Sequence, residues 1–388
     1  MQVSGKLCET GDVVTLTLAQ GHIAGVRVGT DPDALGGPNI FLSSGFFDLQ
    51  VNGYGGHDFN RGVWGSVGQA SEELAPLFAA LARAGTALFC PTIITNSFAA
   101  MQSSLAALST ALNSNQNWAR AVPGIHVEGP YLSSEDGPRG AHPLEHIRDP
   151  GWDEFQRLQE AAGGRIKLFT LAPEREGALP FIEKLVSSGV TVALGHTAAE
   201  PSTIRDAVLA GARMSTHLGN GAHSQIRRHP NYIWEQLAHD ELYAGIIADG
   251  HHLPASVVKS FARVKGPHRL ALVSDAVTLG GLPPGIYSDG QHEILPSGKI
   301  VLAGTPYLAG AGHLQDTCLA NMLRFSDFSL AQVTRCASEV PASILNLGAT
   351  KGHLQVGCDA DLTLFRIPET GPLEIIATIC AGELLYAA

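Results

Sequence analysis

The chain has 388 residues, 45% of them hydrophobic and only 16% charged, a composition that supports a large folded core and excludes a disordered chain. Its formal net charge of −11 excludes the basic face that nucleic acid or an anionic membrane surface requires of a partner. Six cysteines (Cys8, Cys90, Cys318, Cys336, Cys358 and Cys380) lie far apart with no CxxC pair and read as reduced core thiols.

The opening residues MQVSGKLCETGDVVTLTLAQ have no basic stretch followed by an apolar block, and no run approaches the length of a membrane span. A cytoplasmic protein is the expectation. Alternation of apolar and polar residues around Gly21 in VVTLTLAQGHIAGVRVG predicts a β-hairpin. The tail repeats the style in GHLQVGCDADLTLFRI and LEIIATICAGELLYA, so residues 1–43 and 346–388 are expected to form a small β-sandwich-like domain built from both termini. Between them, over 44–345, short apolar runs alternate with Ala/Leu-rich helical segments such as SEELAPLFAALARAG and PSTIRDAVLAGA. That alternation belongs to repeated β-α units around a parallel sheet.

The apolar runs number eight: SGFFDLQV, TALFCPT, VPGIHVEG, IKLFTLAPE, VTVALGHT, RMSTHLGN, LYAGIIADG and RLALVSDA. Their C-terminal ends carry Gln50 and Asn52, Thr92, Glu128, Glu174, His196, His217, Asp249 and Asp275. Polar residues at successive strand exits predict a (β/α)8 barrel of the TIM type, whose active site collects at that face. An open doubly wound sheet is the alternative, disfavoured because no Gly-rich dinucleotide turn follows the first strand.

An unpaired buried carboxylate is costly, so Glu128, closing the run GIHVEG, calls for a cation. His196 and His217 close two other runs. Two imidazoles and a carboxylate make a three-ligand metal set of the catalytic type, with a coordination position left for water. Asp275, closing the last run, has the chemistry of a general base and acid. His252 in ADGHHLP and His142 in RGAHP sit where a loop residue could hold a substrate hydroxyl or polarise a carbonyl; a surface histidine is the alternative for each. Arg228, beside Arg227 in GNGAHSQIRRHPN, offers a guanidinium for an anion such as phosphate, against the alternative of a solvated surface pair. No GxSxG elbow, P-loop or HExxH pair is present.

With GFFDLQVNGYGG, HVEGPYL, GAHP, TLAPE, LGHT, THLGN, IIADGHH, LVSDA and the tail GHLQVGCDADLTLF in this order, the chain resembles the amidohydrolase superfamily over nearly its whole length. Within it, the resemblance is to the branch that deacetylates N-acetylglucosamine 6-phosphate. Many amidohydrolases carry HxH on the first strand, whereas this branch carries QxN, here Gln50 and Asn52, which favours a mononuclear site. The resemblance implies one divalent metal ion per chain on Glu128, His196 and His217, zinc first, with iron, manganese or cobalt as alternatives. It implies Asp275 as general base and acid, His252 and His142 toward the substrate, and Arg228 with Asn220 toward the sugar phosphate. A small amino-sugar phosphate as substrate, a homodimer, and glucosamine 6-phosphate and acetate as products follow from it. The alternatives are a deacylase of a different or unphosphorylated N-acyl sugar, and a sugar-binding barrel without turnover. Departures stand out: HLGNGA replaces the usual HL[FY]NAM, HPNYIWEQ replaces a small glycine-containing turn, and LAGTPYLAGAGHLQ replaces a serine-rich run. The first two of these are expected to reshape the sugar pocket.

Overall fold

The computed structural model describes residues 1–61, 67–287, 291–305 and 308–388. Pro306 and Tyr307, in the segment that replaces the serine-rich run, lie outside the described residues.

All eight apolar runs are strands of one parallel sheet: β1 (Phe46–Val51), β2 (Thr86–Ile94), β3 (Ile125–Glu128), β4 (Ile166–Leu171), β5 (Thr191–Leu194), β6 (Met214–Ser215), β7 (Tyr243–Ile247) and β8 (Leu270–Val273). Each pairs with the next in chain order, the order of a β/α barrel. The strands are apolar almost throughout because both faces are covered: side chains fill the barrel, and helices such as Phe98–Ser114, Ala178–Ser187 and Ala255–Lys265 cover the outside. The two helical segments expected from composition largely form the helices Val67–Arg83 and Pro201–Leu209, which stop two and three residues before the segments do, the latter started by proline at its first position, where a missing N–H costs nothing.

Closure between β1 and β8 relies on a few bonds. Asp275 N–H donates to the Gln50 carbonyl at 2.9 Å, and Asn52 N–H donates to the Ala276 carbonyl at 2.9 Å. The buried carboxylate of Asp48 accepts from the backbone N–H of Ser274 at 3.1 Å and of Gln50 at 3.2 Å. Burial pushes that carboxyl up to about 7 despite these donors.

The two ends of the chain meet in a second sheet of seven strands, ordered Glu383–Ala387, Glu374–Cys380, Leu362–Arg366, Leu35–Ser44, Gln2–Leu7, Val13–Ala19 and His22–Val28. The hairpin around Gly21 forms as expected, turning through Gln20 (φ 52°) and Gly21 (φ 83°), the left-handed pair that suits the strand twist. Leu362 pairs with Ser44, which ties the C-terminal strands to the N-terminal ones. All six cysteines are buried and unbridged. Among the described residues no helix is long and apolar enough to cross a membrane. Sequence periodicity did not reveal a three-stranded antiparallel insert after β8, formed by Gly285–Ile286, His292–Ile294 and Ile300–Leu302. Its strands are two or three residues long, too short to carry a period.

Candidate active site

The exits of β3, β5, β6 and β8 converge. His217 Nε2 lies 3.0 Å from Glu128 Oε1 and 3.0 Å from His196 Nε2, and His196 Nε2 lies 3.3 Å from Glu128 Oε1. All three residues are buried, and together they form a group able to hold a metal ion. His196 Nδ1 is 2.8 Å from the Pro138 carbonyl, which can only accept, so the ring's proton sits on Nδ1 and the Nε2 lone pair faces the cluster. Two imidazole Nε2 atoms and a carboxylate oxygen converging at this spacing fit a divalent cation. Burial alone would raise the Glu128 carboxyl, but the His196 and His217 rings beside it hold it well below the usual carboxylate range.

The backbone is distorted where the chemistry sits. His196 (φ 50°), His217 (φ 27°) and Asp275 (φ 51°) all adopt positive φ without being glycine. Such a conformation costs on the order of 1–3 kcal/mol per residue and persists only where the surroundings enforce it. Here the distortions stand at the exits of β5, β6 and β8.

The first strand contributes two amides. Gln50 Nε2 donates to Glu128 Oε1 at 3.0 Å, and Asn52 Nδ2 donates to Asp275 Oδ1 at 2.7 Å. Burial, then the neighbouring Glu128 carboxylate, push Asp275 up to about 6, close to where a proton shuttle works near neutral pH. On the loop after β7, His252 Nδ1 lies 2.8 Å from Asp249 Oδ2. Burial opposes ionisation of Asp249, yet the bonds from His252 and His251 hold it down at about 2. Asp249 was visible in the sequence as a strand-exit acid, but its task of orienting His252 was not. Glu174, at the exit of β4, accepts from the Thr197 hydroxyl at 2.5 Å and from Ala198 N–H at 2.7 Å, pinning the chain just after His196.

These groups face a cleft of about 320 Å³, lined among others by Glu128, His142, His196, His217, Asn220, His252, Asp275 and Asn52. Gln50 lies beneath it, fully buried. His142 Nε2 is 3.2 Å from His196 Nε2, and burial followed by the nearby His196 lowers its ring to about 3, keeping it neutral. Arg228 stands apart: it is exposed on the loop after β6 and does not line the cleft. Arg227, also exposed, lies 3.9 Å from Glu200, a surface pair. Asp58 and Asn60 line the cleft and escaped sequence reading. Asn60 accepts from Ile94 N–H at 2.8 Å and donates to the Thr92 carbonyl at 2.9 Å, stapling the first loop to β2. The one signal for them was polar residues just past the glycines of NGYGGHDFN.

The departure at Gly219 turns out to concern the core rather than the sugar pocket. A Cβ there would meet Leu253 at 3.0 Å and Phe261 at 3.3 Å, behind the loop. Trp234 is 56% exposed on the outer helix Tyr232–Ala238 and does not line the cleft either. Gly221 does line it, and a Cβ there would lie 2.7 Å from His196 Nδ1.

A parallel barrel with a buried metal-ligand set and an acid at its strand exits defines a barrel hydrolase. Residues 41–385 match the Amidohydrolase family. The chain is 34% identical over 373 residues to the N-acetylglucosamine-6-phosphate deacetylase of Bos taurus, covering 93% of this chain and 86% of the relative. It is 30% identical over 354 residues to the Bacillus subtilis enzyme of the same name, covering 89% and 84%. A Mycobacterium smegmatis N-acetyl-D-glucosamine-6-phosphate deacetylase variant, solved in complex with N-acetyl-D-glucosamine-6-phosphate, superposes with a TM-score of 0.86 at 26% identity over 99% of each chain. The chain belongs to the amidohydrolase family, in the branch of the N-acetylglucosamine-6-phosphate deacetylases.

Proposed function

We propose that the chain hydrolyses the acetamide of N-acetylglucosamine 6-phosphate, giving glucosamine 6-phosphate and acetate. The observation that carries this reading is the buried Glu128, His196 and His217 set with Asp275 at a neighbouring strand exit, in a chain of this branch. Glu128, His196 and His217 would hold one divalent ion, zinc first, which when bound polarises an amide carbonyl and lowers the pKa of water. Gln50 and Asn52 spend their amide N–H groups on Glu128 and Asp275, and an amide is a poor replacement for an imidazole ligand, so one ion per chain is the fit. Asp275 removes a proton from the attacking water and returns it to the departing amine nitrogen. Asn52 holds one carboxylate oxygen of Asp275 and leaves the other for that transfer. His252, with Nδ1 occupied by Asp249, turns Nε2 toward the cleft to meet the carbonyl oxygen. His142 and Asn220 meet the sugar.

Arg228 is the residue we assign to the phosphate, reaching it from the rim. The homodimer and the cytoplasmic location belong to the same proposal, as does the division into a barrel over 44–345 and a small domain from 1–43 and 346–388. One observation favours a second reading, an unphosphorylated N-acyl sugar: the described residues lining the cleft include no lysine or arginine and do include Asp58. Acetate release from N-acetylglucosamine 6-phosphate and from N-acetylglucosamine, measured on zinc-reconstituted protein, separates the two. A strong preference for the phosphorylated sugar supports the first; equal kcat/KM on both sugars supports the second, and no acetate from either ends both.

A further inference from the structure

The loop after β3 and the loop after β6 both reach His196, and a chain of hydrogen bonds joins them. Pro138, on the first loop, accepts the His196 Nδ1 proton. Gly140, on the same loop, lies against one part of the ring: a Cβ there would be 3.1 Å from His196 Cε1. Gly221, on the second loop, lies against the ring as well, its Cβ position 2.7 Å from Nδ1. His196 therefore occupies a slot whose walls are glycine backbone from two loops. Any separation of the loops opens the slot.

His223 bridges them. Its backbone N–H donates to the Tyr232 hydroxyl at 2.9 Å, which leaves the Tyr232 proton free to donate to His223 Nδ1 at 3.0 Å. With Nδ1 accepting, the neutral ring carries its proton on Nε2, which donates to Glu135 Oε2 at 3.1 Å on the loop after β3. Every donor and acceptor in this chain is used in one consistent direction. The backbones also touch at this point, since a Cβ on Gly137 would lie 3.0 Å from His223 Cα. Tyr232 is buried at the start of the helix Tyr232–Ala238, so it anchors the bridge to the barrel's outer ring.

We propose that Glu135, His223 and Tyr232 form a clasp across the mouth of the cleft, and that His223 is a positioning residue that holds metal ligand His196 in its glycine slot. The proposal rests on the metal reading given above. It assigns a purpose to Tyr232, which sits in HPNYIWEQ, and to His223, which directly follows HLGNGA, two of the stretches where this chain departs from the pattern of its branch.

The test is the affinity of the purified full chain for zinc(II), by competition with a chromophoric chelator, alongside the melting temperature of the metal-free protein. Partners of a ligand's outer nitrogen typically contribute about 10–100-fold in metal affinity. His223 acts one step further out, so His223→Ala and Tyr232→Phe should each weaken zinc binding roughly tenfold. Their metal-free melting temperatures should match the parent's. The double variant should be no weaker than His223→Ala alone, because both changes cut the same chain. Glu135→Gln should change least, within about twofold, since Glu135 is 63% exposed and water screens its pair. Parent-like zinc affinity in both single variants overturns the clasp. So does an affinity loss matched by a fall in metal-free melting temperature, which would mark a merely structural role. A parent that takes up no zinc overturns the metal reading and the clasp with it.

Discussion

The floor of the cleft and the exposed loop after β6 are built on opposite terms. At the floor Glu128, His196 and His217 are buried, His196 and His217 in strained backbone, and every one is braced: by Gln50, by the Pro138 carbonyl, by each other. On the loop after β6, Arg227 and Arg228 are exposed and do not line the cleft. The floor is fixed by these contacts, whereas the two guanidinium groups are left in solvent. A site assembled this way fixes the buried cluster and, under the proposed phosphate role of Arg228, leaves that contact adaptable. Burial is the reason: a desolvated dipole or charge acts strongly only if it is fixed in place, while an exposed guanidinium is screened and free to move.

If the floor is preorganised, the largest loss should come from removing a ligand. His196→Ala is expected to release the metal and abolish measurable acetate production while the barrel stays folded; elemental analysis and circular dichroism check both parts. Asp275→Asn should come next, with metal retained and kcat down about 10²–10⁴-fold, because the amide keeps the shape but not the basicity. Near-parent kcat in that variant would move the proton shuttle to another residue.

Asp48 probes the closure beneath the floor. Its folded carboxyl is raised to about 7, above the unfolded value of about 3.9, so between those pH values the native state binds more protons than the unfolded chain. Stability contributed by the protonated form is therefore present at low pH and is lost as pH rises toward 7. The total swing is roughly 4 kcal/mol at most. Asp48→Asn should flatten that part of the stability profile, read as melting temperature against pH. An unchanged slope would mean that Asp48 is ionised in the folded protein throughout.

The smallest effect belongs to the exposed loop after β6. Arg228→Ala should lower kcat/KM for N-acetylglucosamine 6-phosphate by about 10-fold, mostly through KM, and leave the unphosphorylated sugar unaffected. Equal losses on both sugars would show that the loop, not the phosphate, had been disturbed.

Local patterning made much of this molecule legible. The eight barrel strands could be read from sequence because each is an apolar run that stops at a polar residue. Glu128, His196, His217 and Asp275 stood at those stops. The hairpin at Gly21 and the pairing of the two ends followed from alternation. What escaped was Asp249 as the orienting partner of His252, Asn60 as a staple, the short-stranded insert after β8, and the clasp at His223. None of these has a period, and the Asn60 staple and the Glu135–His223 contact join residues far apart in the chain.

Composition and alternation by themselves pointed to a β/α barrel with Glu128, His196, His217 and Asp275 at its strand exits, since burial requires apolar runs and a buried acid requires a cation, and the ordered motifs added the hydrolase. Only the tertiary structure decided how the ligands are held. Glu128 and His217 are 89 residues apart, and His196 and the Pro138 carbonyl 58. The positive φ at His196, His217 and Asp275, the tautomer of His196 and its glycine slot exist only once those distant segments pack, because each is enforced by contacts that no local stretch of chain contains.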